Sequence, residues 1–472
     1  MDITQTLLER SYDLVKNATS LDEVSYIVKS LSDTKQLNST ILGAVNEKFN
    51  ELSANASAKD VAHFTKSFET YLQETDSKIY SIGIPGTIGF GVATCPPDLL
   101  PEGWTPMDGH DRIGSKNYGS YIDQNGSELC FVPKHYVKLS GNNVYISDNP
   151  RSDYIIQRCF INGGKEIRGI FIYKYLASNK NGVFASVKNA VPLSTYSGNN
   201  PISALNNAPA NNMGGLYKAV QSAGVGYHLM SVFEWQMLFF LSKAHAQEAT
   251  SEVACAYVDV NPKYPKGCHA SILRDANDSS VTYSPSGYSD CGLTGSGVPF
   301  AKTTHNGQEC GIADLNGLMW ECASGFIRTD DDGFLVLKES VDIRTIVDDS
   351  TDGGAYDASL YDQIDISDVV DGNDGWIYFG NDDEIVFNMN TDRTSDDYKR
   401  MSIGVPNANG VSSNGTTEFG NDGLYRYLRN EMACRRGGSW GYWSDAGVLA
   451  MDLSGYRTHS SYTTGGRACY LV

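Results

Sequence analysis

A helical period runs through the first 77 residues and then stops. Leu21, Val24, Ile27, Val28 and Leu31, then Ile41, Val45, Phe49 and Leu52, then Val61, Phe64, Phe68 and Leu72 recur at spacings of three and four, one apolar stripe per short helix. Ser20 with Glu23 three residues on has the spacing of a capping box. Asn and Ser clusters at Asn38 to Thr40 and at Ser53 to Ser57 interrupt the period. Residues 1–77 therefore read as several short helices, a module for attachment or oligomerisation, rather than one long coiled coil. From Ile79 the pattern changes to SIGIPGTIGFGVATCPPDLLPEGWTPMDG, where Gly and Pro punctuate short apolar alternations. A chain written this way cannot continue as a helix bundle. It implies a domain boundary, a β-rich entry segment over residues 78–150 and a loop-rich α+β body over 151–472.

Within the body the pattern predicts strands over Cys130 to Val132, Gly169 to Tyr175 and Val448 to Leu453. It predicts a helix over Val232 to Ala246 with Phe233, Met237, Phe240 and Leu241 as its apolar stripe. Between about 328 and 422 acidic clusters crowd together (DDDG, DDSTDGGAYD, DVVDGNDG, GNDDE). This reads as an inserted, solvated, loop-rich lobe. Calcium is the alternative, because clustered carboxylates suit a hard cation, although no stretch has the EF-hand spacing with its closing Glu.

A net charge of −19 over 472 residues argues against nucleic acid, whose affinity rests on clustered Lys and Arg. No apolar run approaches the roughly 20 residues that span a bilayer, and MDITQTLLER lacks a basic stretch followed by an apolar one. The expectation is a chain without membrane insertion, assembled in the cytoplasm. Its 10 cysteines form no CxxC pair and read mostly as buried thiols, with a few disulfides left open.

One catalytic pattern is a decoy. Gly437, Ser439 and Gly441 fit G-x-S-x-G, with Asp445 and His459 following in hydrolase order. A nucleophile elbow needs a helix after the serine, and this segment reads as strands and turns. A stronger signal is a trio: YHLMSVFEWQMLFFLSKAHA (227–246), GIADLNGLMWEC (311–322) and RGGSW (436–440). Glu234 suits the positive end of its helix. Asp314 to Gly317 reads as a tight turn in which the Asx side chains bond their own backbone. Trp235, Trp320 and Trp440 are expected to share one core, and Arg436 and Arg467 to fork onto carboxylates such as Glu234 or Glu321.

In these three motifs and their order the chain resembles the formylglycine-generating-enzyme type of C-type lectin fold, over roughly residues 79–472 without the acidic insertion. Within it the sequence is similar to the variable proteins of phage diversity-generating retroelements, on GFGVATCPPDLLPEGWTPMDG, CFVPKHYVKL, RCFINGGKEIRGIFIYKYLAS and the C-terminal RGGSW, SDAGV and GGRA. Trp235, Trp320, Arg436, Gly437, Gly438, Trp440 and Arg467 then form the framework. The enzymes of that superfamily work through copper and a cysteine pair just after RGGS. Here that stretch reads Trp440, Gly441, Tyr442, Trp443, Ser444, and no cysteine stands between Cys434 and Cys469.

The run VLAMDLS alternates, which places Leu449, Met451 and Leu453 inside and Ala450, Asp452 and Ser454 outside. With Gly441, Tyr442, Trp443, Asp445, Gly455, Tyr456, His459, Ser461, Tyr462 and Thr463, the outer set has the composition of a paratope: rigid aromatic anchors among small polar residues. Most of these are reachable from an Asn AAY codon by changing adenines, the signature the resemblance implies, and Trp443 is not. The resemblance implies a non-enzymatic virion receptor-binding protein, in a tail or head fibre. It would trimerise and dock on other virion proteins through its N-terminal helices, and bind a bacterial surface glycan or protein with a hypervariable face. The alternatives are an enzyme of the same superfamily and a bacterial surface-display protein.

Overall fold

The computed structural model describes residues 13–21, 23–24, 27, 39–54, 80–249, 267–269, 272–346, 356–370, 373–380, 386–414, 421–426 and 429–472. The chain divides into two compact units, Met1–Ser81 and Ile82–Val472.

In the first unit α1 is Ser39–Ser53, which buries Ala44 and Val45. Val15, Leu21 and Val24 are also buried. The expected capping box is shifted by one residue. Ser20 Oγ accepts the Glu23 N–H at 3.2 Å, but the Glu23 carboxylate accepts from the Thr19 N–H at 2.8 Å instead of from Ser20. Val28, Leu31, Val61, Phe64, Phe68 and Leu72 lie outside the described residues.

The second unit is α+β and sheet-rich. In chain order the strands of its two main sheets are β1 (Thr105–Pro106), β2 (Ser120–Ile122), β3 (Glu128–Pro133), β4 (Gly169–Tyr173), β5 (Tyr227–Leu229), β6 (Trp320–Thr329), β7 (Gly333–Leu337), β8 (Tyr361–Gln363), β9 (Gly375–Phe379), β10 (Val411–Ser412), β11 (Gly423–Arg426), β12 (Met432–Gly437), β13 (Gly447–Tyr456), β14 (Thr464–Gly465) and β15 (Ala468–Leu471). The first sheet has the order β1-β2-β3-β4-β15-β5, so the last strand of the sequence returns beside β4. The second has the order β8-β7-β6-β12-β13-β11-β9-β10, with β14 added parallel to β6. The entry segment and the rest of the body share the first sheet through the β3–β4 pairing.

Among the described residues, three α-helices belong to this unit: α2 (Gly215–Gln221), α3 (Val232–Glu248) and α4 (Asp396–Ile403). Helix α3 begins with a complete capping box. Ser231 Oγ accepts the Phe233 N–H, and the Glu234 carboxylate accepts the Ser231 N–H at 2.7 Å. The predicted single stripe is too narrow, since every residue from Val232 to Ala246 is buried. One side of the helix shares a core with Leu449, Met451 and Leu453 of β13. Another side is covered by the insertion, where Phe387 meets the rings of Phe239 and Phe240 at 6.3 and 6.2 Å.

That covering corrects the reading of residues 328–422 as a solvated lobe. Leu335, Val336, Tyr361, Ile366, Phe379, Tyr398 and Met401 are buried in the largest core, and β7 to β10 extend the second sheet. The acids sit at its turns. Asp342, Asp357, Asp365 and Asp392 each accept a backbone N–H two residues on, as Asx side chains do at turns and caps. Among the described residues, none of the insertion's carboxylates join in a group of three that could hold a metal. The nine described cysteines are buried free thiols, and Cys255 lies outside the described residues.

Two buried histidines are expected to make the unit sensitive to acid. His305 Nδ1 accepts the Ile312 N–H at 3.0 Å while Nε2 faces the Gly91 carbonyl at 3.2 Å, an arrangement that needs the neutral ring. Burial pushes its pKa down to about 3, and burial pushes that of His135 down to about 4. A depressed folded pKa gives stability that is present above the unfolded value near 6.5 and is lost as pH falls toward the folded one. The urea midpoint is therefore expected to be lower at pH 5 than at pH 7.5, with a smaller difference in His305→Gln. Equal parental midpoints would show that these rings do not control acid stability.

Candidate binding site

The C-terminal segment is fastened by two arginines with different partners. Arg467 forks onto Glu321, Nε to Oε2 at 3.1 Å and Nη2 to Oε1 at 2.9 Å, with both side chains almost fully buried. It also donates to the carbonyls of Tyr173 and Ala313, each at 2.7 Å. Arg436, equally buried, forms no salt bridge with a carboxylate among the described residues. Its guanidinium donates to the Ile403 carbonyl at 3.1 Å and the Val448 carbonyl at 3.4 Å, which departs from the expected fork. Glu234 instead faces His228 Nε2 at 3.1 Å.

The expected common tryptophan core is also divided. Trp235 belongs to the core around α3, whereas Trp440 packs with Leu176, Cys268, Leu318 and Met319. Trp320 lies beneath the chain-terminal loop. Nor does Asp314 bond its own turn. At φ +65 it reaches across to the N–H groups of Leu176 at 3.1 Å and Gly295 at 2.8 Å, tying three segments together.

Strand β12 ends at Gly437 and Gly438, both with positive φ, +89° and +80°. A Cβ on Gly437 would stand 2.6 Å from the Leu315 carbonyl oxygen, so only glycine lets the chain turn there. The turn sends the loop 439–446 back over the sheet. There the Tyr442 ring lies edge-on to Trp320 at 4.9 Å and to Trp376 of β9 at 5.8 Å. Trp443 follows at φ +53°, a left-handed conformation rare for a bulky residue, and keeps 56% of its surface exposed.

The expected outward alternation of β13 holds only on one face. Leu449, Met451 and Leu453 do face the core. Asp452, however, is 1% exposed and Gly455 is buried, so neither stands on a presented surface. Asp452 pairs with Arg435 at 2.7 Å, and Arg435 also donates to Ser454 Oγ at 3.0 Å and lies over Trp320 at 5.5 Å. A strand with neighbours on both edges and a buried ion pair on its second face is covered on both sides as far as Leu453, and opens only at its end, at Ser454 and Tyr456. Alternation reports two faces and cannot say what covers each.

The open surface is carried by the loops and the last residues of β13. Gly441, Trp443, Tyr456 and Tyr462 are exposed; Tyr442, Asp445, Ser454, His459, Ser461 and Thr463 are half-buried. The loop 457–463 is held by main-chain and hydroxyl bonds to Thr195, and the Tyr462 ring lies between Trp440 at 6.0 Å and Tyr196 at 6.1 Å. Burial, with Arg435 nearby, holds His459 below its ordinary pKa.

Sequence reasoning missed Tyr196, Trp376, Tyr378 and Tyr425, which extend the same aromatic surface. The alternation of rings in GWIYF, within the acidic insertion, was the available signal for Trp376 and Tyr378.

The hydrolase pattern is not assembled as a nucleophile elbow. Ser439 is buried, and a single 3-10 turn, Trp443–Asp445, follows it where the nucleophile elbow needs a helix. Among the described residues, the one group of three side chains spaced for a metal is His228, Glu234 and Cys469, all buried. Both Glu234 oxygens already accept hydrogen bonds there, from His228 and from Ser231. The chain matches no protein-family model and no curated protein.

Proposed function

We propose that this chain is a receptor-binding protein of a phage virion, with a C-type lectin fold of the formylglycine-generating-enzyme type and a binding surface made by the loops 439–446 and 457–463. The observation that carries this is Trp443. A tryptophan held in a left-handed conformation and more than half exposed is disfavoured twice, in backbone energy and in apolar exposure, and such strain gathers at binding sites. Tyr442, Tyr456 and Tyr462 beside it are anchors with few rotors, set among Ser, Thr and Gly, as in a paratope. The return of β15 to the first sheet and the buried Arg467–Glu321 pair support a rigid scaffold beneath variable loops. In this reading the N-terminal helices trimerise the protein on the virion, the ligand is a bacterial surface molecule, and no catalysis is involved.

Adsorption of the purified protein to a panel of bacterial strains tests it. Truncating Trp443, Tyr456 or Tyr462 to Ala is expected to weaken adsorption to the bound strain by about 2 kcal/mol each, with melting nearly unchanged because the rings are exposed. Variants that adsorb like the parent would remove this face from the binding site.

A further inference from the structure

Where the last strand returns to the first sheet, three donor side chains converge. In the register of β5 and β15, His228 stands directly opposite Cys469, and residues paired in this way turn their side chains to the same face. The first turn of α3 brings Glu234 to them. One ligand atom from each of the three lies within 4.8 Å of the other two, and His228 Nε2 is 3.1 Å from Glu234 Oε1. All three residues are buried. The two oxygens of Glu234 have different duties. Oε2 accepts from the Ser231 N–H and hydroxyl, which locks the carboxylate in its capping box, while among the described residues Oε1 meets His228 alone. The other ring nitrogen, Nδ1, has no hydrogen-bond partner among them, so no second bond holds the imidazole proton on Nε2.

We propose that His228, Glu234 and Cys469 hold a zinc ion that fastens β15 to β5 and to the start of α3. The donor set decides which ion. One nitrogen, one oxygen and one sulfur suit a borderline-soft cation, whereas calcium and magnesium take oxygen ligands. Spacing agrees. Zinc bonds of about 2.0 Å to nitrogen and oxygen and about 2.3 Å to sulfur set tetrahedral ligands roughly 3.3–3.6 Å apart, which small side-chain movements reach from the present separations. A carboxylate and a thiolate cancel the two charges of the ion, so these ligands add no net charge to the core. On binding, the zinc–sulfur bond replaces the S–H bond and that proton leaves to water, while the imidazole proton moves from Nε2 to Nδ1. Cys159, buried in the same core and close enough for its charge to act with those of Glu234 and Cys469, is the donor on hand for the fourth position. Its own charge is met by Arg158. Buried on all sides, the ion has a structural task, independent of what the C-terminal loops bind.

The full-length protein, made without a polyhistidine tag in zinc-supplemented medium, is dialysed and its metal content measured by mass spectrometry. A second sample is exchanged into cobalt and read by absorption. About one zinc per chain is expected, and the cobalt form should show a thiolate-to-metal charge-transfer band. His228→Gln and Cys469→Ala should each weaken zinc by more than the roughly tenfold that loss of an outer-shell partner costs, and Cys469→Ala should reduce the band. Removing the metal with a chelator should lower the melting temperature of the parent and leave that of Cys469→Ala unchanged. If either variant fails to fold, the cobalt spectrum of the parent decides the matter, since the band appears only with sulfur on the metal. Three results would overturn the proposal: a folded parent without stoichiometric zinc, folded variants that bind zinc like the parent, or a cobalt form without the band. Parental zinc affinity in Cys159→Ala would strike the fourth ligand. Adsorption to bacteria is a separate readout, so failure here leaves the receptor-binding reading to its own test.

Discussion

Arg467→Met is expected to cost the C-terminal unit about 3–5 kcal/mol, the range for removing one partner of a buried ion pair. The reason is the company Arg467 keeps. Its guanidinium satisfies both oxygens of Glu321 and the carbonyls of Tyr173 and Ala313, so β4, β6, the turn before β6 and the C-terminal segment meet on one side chain. Burial already pushes the Glu321 carboxyl above its ordinary pKa, and Arg467 is what pulls it back. Without the arginine a buried carboxylate stands alone and must take up a proton. A double variant, Arg467→Met with Glu321→Leu, should recover part of the loss because no unpaired charge remains. Urea denaturation reads both, and a single variant with the parental midpoint would show that the pair does not hold these segments together.

The second large effect separates two tryptophans of opposite burial. Trp320→Ala should lower stability by about 3–5 kcal/mol, the usual cost of emptying a buried aromatic site, since its side chain is 1% exposed beneath Tyr442 and Arg435. It should also weaken adsorption, because Tyr442 loses the ring it rests on. Trp443→Ala, at 56% exposure, should leave the midpoint within a few tenths of a kcal/mol of the parent. If the two variants melt alike, the loop does not hold one ring as floor and present the other.

Much of the framework was legible from local pattern. The alternation of VLAMDLS assigned Leu449, Met451 and Leu453 correctly to the core, because a period of two is a property of the strand itself. The helix beginning at Val232 was legible for the same local reason, down to Glu234 near its positive end. That Arg467 would fork onto a carboxylate such as Glu234 or Glu321 was within reach of chemistry alone, and the fold selects Glu321. Arg436 shows the limit of that reasoning, because a guanidinium can be satisfied by carbonyls, and which groups line its pocket is set by the packing of distant segments.

The candidate site divides along the same line. The composition of residues 441–463 marked a surface of anchors and small polar groups, and the identities of Trp443, Tyr456 and Tyr462 needed no coordinates to stand out. Which of those residues reach solvent was decided only by the tertiary structure. Asp452 is buried because the other strands of the sheet bring Arg435 against it, and Gly455 because Met213, more than 200 positions earlier, approaches where its side chain would be. The acidic insertion misled for a related reason: its aspartates mark turns, and turn composition masks the short apolar runs between them that join the main core. Sequence by itself determined periods, caps and turn positions, because those are written in neighbouring residues. Exposure, partnership and the joining of Trp376 and Tyr425 to the C-terminal loops were decided by the fold, because they depend on which strands lie side by side, and no local period carries that information.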